Sequence, residues 1–172
     1  MVIMVSGLPG TGKSYFSRHL QQEIPAHYLN TDMIREELGK KGDYDSQTKQ
    51  LVYERMAQKA EKYLQEGSDV IVDATFHKSN RRNLFRQLAN NMGHELVVIE
   101  IKASQQTVRQ RLTENRQHSE AGYSVYRKIK EEAEALRHPH LTLWSDVLSI
   151  EEMIALAKRR IYGSTTDTTT ER

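Results

Sequence analysis

Residues 1–20 read MVIMVSGLPGTGKSYFSRHL, and this stretch restricts the fold more tightly than any other in the chain. The apolar run Val2–Val5 is too short for a helix and suits a buried strand. It breaks at Gly7 into a turn with two further glycines, Gly10 and Gly12, after which Phe16 and Leu20 recur at helical spacing. A strand that passes through a glycine-rich turn straight into a helix opens a βα unit. Such units build parallel sheets with helices on their faces.

The turn itself has a chemistry. Gly7-Leu8-Pro9-Gly10-Thr11-Gly12-Lys13-Ser14 fits G-x-x-x-x-G-K-[ST], the P-loop, at each fixed position, and Tyr15 completes the expected nucleotide-binding run. The glycines let backbone N–H groups close around phosphate oxygens, and the helix N-terminus adds partial positive charge. Lys13 is placed to reach the β and γ phosphates, and the Ser14 hydroxyl to ligate Mg²⁺. The expected ligand is a nucleoside triphosphate: ATP, with GTP possible.

The rest of the chain keeps the alternation. Val70–Val72, Leu96–Ile101 and Leu141–Trp144 read as strands, and His27–Leu29 as a weaker one. Val52, Met56, Ala60 and Leu64 recur at helical spacing and stop at Gly67; Leu84, Phe85, Leu88 and Met92 do so before Gly93. A last helix starts at Ser149, with Glu152 completing a capping box. Trp144 is expected in the core at the end of the last strand. The expected fold is therefore α/β, one domain over residues 1–162, followed by a polar, low-complexity tail at 163–172 that reads as disordered. Arg109, Arg111 and Arg116, followed by a helical pattern through Val125, Ile129, Ala133 and Leu136, form either a mobile lid or a solvated helix end.

Two aspartates suit the chemistry beside such a loop. Asp73 ends the strand Val70–Val72 and fits outer-shell coordination of Mg²⁺, with a turn cap as its plainer reading. Ala74 follows it where a motor ATPase would carry a water-activating glutamate, and the chain has no Asn-Lys-x-Asp guanine-selecting segment. Both facts point to transfer onto a substrate rather than onto water. Asp32, just past the weak second strand, would lie on the ligand-binding edge of a parallel sheet. It could take the proton of an acceptor hydroxyl while Arg35, one turn on, binds an anionic part of the acceptor. Equally, Thr31 or Asp32 could simply cap the next helix.

GLPGTGKS, LNTDMIR, VIVDATFHKSNRR and RQRLTENR with HSEAGYSVY, taken together and in order, resemble the P-loop kinases of the polynucleotide 5′-hydroxyl kinase and zeta-toxin-like group, over about residues 1–160. The resemblance implies a P-loop NTPase with a five-stranded parallel sheet of the nucleoside-monophosphate-kinase type, helices on both faces, and an arginine-bearing lid. By position it implies Asp32 as general base, Arg35 as an acceptor contact, and a D-x-T segment at Asp73 and Thr75. Thr75, Arg81 and Arg82 would contact the acceptor, and a lid arginine, Arg109 or Arg116 with Arg111 nearby, would stabilise the transferring phosphoryl group. In the bacteriophage polynucleotide kinase of that group this element carries arginine before the aspartate, where this chain has Thr31.

The acceptor expected first is the 5′-hydroxyl end of a nucleic acid, with a small molecule or nucleotide sugar as the alternative. A nucleotide-dependent switch without transfer belongs to a third class. Lys and Arg total 25 against 23 Asp and Glu, so attraction to nucleic acid must come from a local patch. His77, Lys78, Arg81, Arg82 and Arg86 could form one, with Tyr44 and Phe76 available to stack on a base; a solvated helix face is the other reading. The chain has no cysteine, which excludes disulfides and thiol nucleophiles. With no membrane-length apolar run and no signal-peptide pattern, a cytoplasmic location without membrane partners is expected.

Overall fold

The computed structural model describes residues 1–114 and 119–163. Five strands, β1 (Val2–Ser6), β2 (Ala26–Asn30), β3 (Asp69–Ala74), β4 (Leu96–Lys102) and β5 (Leu141–Trp144), form one sheet in the order β2-β3-β1-β4-β5. Every pairing is parallel. The helices are α1 (Lys13–Glu23), α2 (Thr31–Glu37), α3 (Ser46–Gln65), α4 (Ser79–Asn91), α5 (Gln105–Glu114), α6 (Ser119–Glu132) and α7 (Ile150–Tyr162).

Alternation along the central strands builds two cores. Val2 and Met4 of β1 point with Val70 and Val72 of β3 into a layer closed by α3 and α4, through Val52, Met56, Ala60, Phe85 and Ala89. Ile3 and Val5 point the other way with Ile71, Val97 and Ile99, under Phe16 and Leu20 of α1 and Met153, Ala157 and Ile161 of α7. Because both faces of β1 are covered, its residues are all buried and the strand reads as an unbroken apolar run. The capping box expected at Ser149 and Glu152 is present.

Two expectations are corrected. Trp144 is 44% exposed: neighbouring strand residues face opposite sides, and Leu143 takes the side packed by α7. The helical pattern carried to Leu136 ends at Glu132. Beyond it the Glu134 amide donates to the His77 carbonyl at 2.8 Å, and the chain turns to run along the start of α4. Arg116 and the tail from residue 164 lie outside the described residues.

Candidate active site

The phosphate loop follows β1, the central strand. Gly10 (φ 80°) and Gly12 (φ 91°) adopt the left-handed backbone that side chains resist. A Cβ at Gly7 would stand 2.6 Å from the Ile101 carbonyl oxygen, so this position has no room for one. Thr11 Oγ1 donates to the Leu8 carbonyl at 2.8 Å and closes the turn. Gly12 caps α1 without any side-chain bond, which leaves the first amides of the helix free for a ligand. Lys13 makes no hydrogen bond or ion pair among the described residues.

Parallel register brings the next groups to the same edge. Asp73 pairs with Val5 of β1 on one side and with Asn30 of β2 on the other. Its carboxylate is 1% exposed. One oxygen accepts from the Tyr28 hydroxyl at 2.7 Å; the other, Oδ1, is buried without a partner. Asn30 Nδ2 donates to the same hydroxyl at 2.9 Å, and the Ser14 side chain lies beside it. Burial, reinforced by the Asp73 charge, pushes the Tyr28 phenol up to about 12, so it stays a neutral donor. A buried carboxylate oxygen lacking a partner, next to a serine hydroxyl at the P-loop, fits the outer shell of a magnesium ion that keeps several waters. Ser14 and, through water, Asp73 would hold it.

Asn30 also settles what Asp32 does not do. Its Oδ1 accepts from the Met33 amide at 2.7 Å and caps α2, so neither Thr31 nor Asp32 is the cap. The Asp32 carboxylate is 84% exposed, and Arg35 holds it at 3.0 Å. Arg35 is itself buried: its Nε donates to the Asp43 carbonyl at 3.0 Å, and its guanidinium lies 4.4 Å from the centre of the Tyr44 ring. It therefore orients Asp32 and ties down the loop after α2, and its remaining reach toward an acceptor is short.

The turn after β3 carries Thr75, whose Oγ1 lies 3.2 Å from His77 Nδ1. Phe76 adopts φ 47°, an unusual backbone for a buried, bulky side chain; it packs edge-on between Tyr53 and Phe85 and is not available to stack on a base. The two adjacent arginines part company. Arg81 faces α3, bonded to Gln50 and 5.1 Å from the centre of the Tyr53 ring. Arg82 points inward, donating to the Phe76 carbonyl at 2.7 Å and to the Ala135 carbonyl at 3.0 Å. Arg86 is bonded to Asn83 and His138. The basic run of the sequence is thus divided over different surroundings.

The arginines of α5 divide as well. Arg111 Nη1 donates to Ser145 Oγ at 2.9 Å and stands 3.4 Å from the Gly10 carbonyl, while Ser145 Oγ donates to the Thr11 carbonyl at 2.6 Å. The guanidinium of Arg109 lies 5.6 Å from the Tyr123 ring centre, with Gln105, Gln106 and Thr113 around a groove between α5 and α6. Among the described residues, Arg111 is the α5 arginine that reaches the phosphate loop. Tyr28, Asn30 and Ser145 join the site although the sequence did not single them out.

An all-parallel sheet in this order, a glycine-rich loop after its central strand, and a buried aspartate near the end of the neighbouring strand β3 define a P-loop kinase fold. The chain belongs to the AAA domain family, which it matches over residues 2–136. Among solved structures it is similar to APE1195 (21% identity, TM-score 0.80, covering 95% of this chain and 96% of that one). It is also similar to the Mycobacterium tuberculosis APS kinase in complex with AMPPNP and APS (19%, 0.75, 94% and 96%). A gluconokinase from Sinorhizobium meliloti is a third (17%, 0.66, 94% and 91%). No curated protein matches the chain in sequence. No helix among the described residues is long and apolar enough to cross a membrane.

Proposed function

We propose that this chain is an ATP-dependent phosphotransferase that moves the γ-phosphoryl group onto a hydroxyl of a small molecule, with Asp32 as general base. The observation that carries the reading is the state of Asp32: an exposed carboxylate relieved of capping by Asn30 and oriented by Arg35, following β2, whose last residue pairs with Asp73 at the P-loop edge. Ala74 beyond Asp73 is buried and offers no base for water, which argues against simple hydrolysis and against a nucleotide switch.

In the reaction the bond from the γ-phosphorus to the β,γ-bridging oxygen breaks, and a bond from the acceptor oxygen to that phosphorus forms. The hydroxyl proton passes to the Asp32 carboxylate, and ADP leaves. Lys13 and the loop amides hold the phosphates, with Arg111 beside them; this is catalysis by positioning and charge stabilisation. Magnesium, held by Ser14 and through water by Asp73, would neutralise charge on the β and γ oxygens.

The small acceptor is favoured over a nucleic-acid 5′-hydroxyl end, the first expectation from sequence. The similar structures include an APS kinase and a gluconokinase, and Arg81, Arg82 and Arg86 present no single track for a backbone. Transfer from γ-labelled ATP with Mg²⁺ tests the reading, offering a panel of hydroxyl metabolites and 5′-hydroxyl RNA and DNA strands, with Lys13→Ala and Asp32→Ala alongside. Label in the metabolite panel, lost in both variants, is expected. Label on oligonucleotides alone would restore the nucleic-acid acceptor, and hydrolysis indifferent to Asp32 would overturn the proposal.

A further inference from the structure

The segment just after α6 grips the turn after β3 at four successive points. Arg82 is the central pin: its buried guanidinium bridges the Phe76 carbonyl, at 2.7 Å, to the Ala135 carbonyl, at 3.0 Å. The Glu134 amide donates to the His77 carbonyl at 2.8 Å. The Glu134 carboxylate lies 3.7 Å from the Lys78 ammonium and accepts from the Ser79 amide at 2.7 Å. Lys78, the residue at the cap position of α4, makes no capping bond of its own, so Glu134 serves from a distant part of the chain. Leu136 then packs onto the core layer beneath α4.

These bonds fall where the backbone is least at ease. A buried phenylalanine at φ 47° costs free energy that its surroundings must offset, and the carbonyl that Arg82 holds belongs to that residue. Its neighbours are Thr75 and His77, which are 3.2 Å apart. We propose that residues 134–136 act as a strap that fixes this turn, and that Arg82 and Glu134 are positioning residues for the acceptor side of the site. The assignment of an acceptor side rests on the phosphotransferase reading above; the strap itself does not. The strap follows α6 after Ala133 alone, so no slack linker separates that helix from the turn.

Arg82→Lys keeps a charge but cannot bridge two carbonyls in one plane, and Glu134→Ala removes an exposed side chain that folding of the core does not need. Hydrogen exchange on the full chain reads the mechanical tie. Both variants are expected to exchange about 10-fold faster at residues 74–79 and 133–137 together, with β1 and α1 unchanged. In the transfer assay both should lose up to about 100-fold in kcat/KM for the acceptor, the scale of a small misplacement, while the Kd for ATP holds. Acceleration at 133–137 alone, or an equal loss in ATP affinity, would overturn the strap. Coordinated exchange in a protein that phosphorylates nothing would uphold the strap and count against the phosphotransferase reading alone.

Discussion

The Tyr28 hydroxyl donates to one oxygen of Asp73 at 2.7 Å while the other oxygen of that carboxylate is buried and unpaired. The carboxylate is thus aimed by its neighbour and left half unused, a state that costs free energy unless a ligand employs it. Tyr28→Phe should remove the aim. We expect a stability loss of about 1–3 kcal/mol, the usual penalty for a buried acceptor deprived of its donor. Mg²⁺-dependent ATP affinity should weaken with it; thermal melts and calorimetric titration with and without Mg²⁺ check both.

Asp32 and Asn30 should differ in what their loss does to stability. Asp32→Asn is expected to cut acceptor phosphorylation by about 10²–10⁴-fold, the range for a general base, with Tm nearly unchanged because the side chain is exposed. Asn30→Ala should lower stability as well: loss of the α2 cap costs about 1 kcal/mol, a fall in Tm of about 2–4 °C, and loss of its bond to the Tyr28 hydroxyl should weaken Mg²⁺-dependent ATP affinity too. A large stability loss in Asp32→Asn would mean its carboxylate is structural.

The two arginines of α5 predict a contrast. Arg111→Ala should lower single-turnover transfer by about 10³-fold or more, the low end for an arginine serving a transferring phosphoryl group. Arg109→Ala, altered in the groove beside Tyr123, should leave the rate within a few-fold. Equal losses would place both arginines in the catalytic machinery.

His77 should titrate below an ordinary histidine. Burial depresses it first, and the Lys78 charge adds to the effect. The folded protein then binds fewer protons here than the unfolded chain. The contribution to stability is fully present above the unperturbed value of 6.5 and is lost as pH falls through the lowered folded value. Melts of wild type and His77→Asn should converge as pH drops through that window, and imidazole chemical shifts should report the lowered midpoint directly.

The sheet and the phosphate loop were legible because each rests on a local pattern: unbroken apolar runs for strands buried on both faces, and glycines at the positions where backbone must meet phosphate. The site beyond the loop was less so. Asn30, Thr31 and Asp32 are three capping residues in a row, and only the extension of β2 through Asn30 decides among them. Arg109 and Arg111 differ by two residues on one helix, so their faces diverge, but which face meets Ser145 depends on packing. Arg82 is a missed signal. It stands three and seven residues before Phe85 and Ala89, on the same buried stripe of α4, and that spacing marks it as interior. Nothing local announces the left-handed Phe76, since besides Arg82 the groups that hold its turn come from residues more than fifty positions away.

Asn30 belongs to two hydrogen-bond systems of opposite polarity. Its carbonyl end accepts from the Met33 amide, and its amino end donates to the Tyr28 hydroxyl that is already giving its proton to Asp73. Aspartate would retain the first bond and set a second negative charge against the acceptor side of that phenol. Serine and threonine, equally good caps elsewhere, have one short hydroxyl that cannot span both partners. Position 30 is therefore narrower in its chemical vocabulary than any helix start usually is. An exchange there that a capping scale scores as neutral should disturb the metal side of the site as well as the helix.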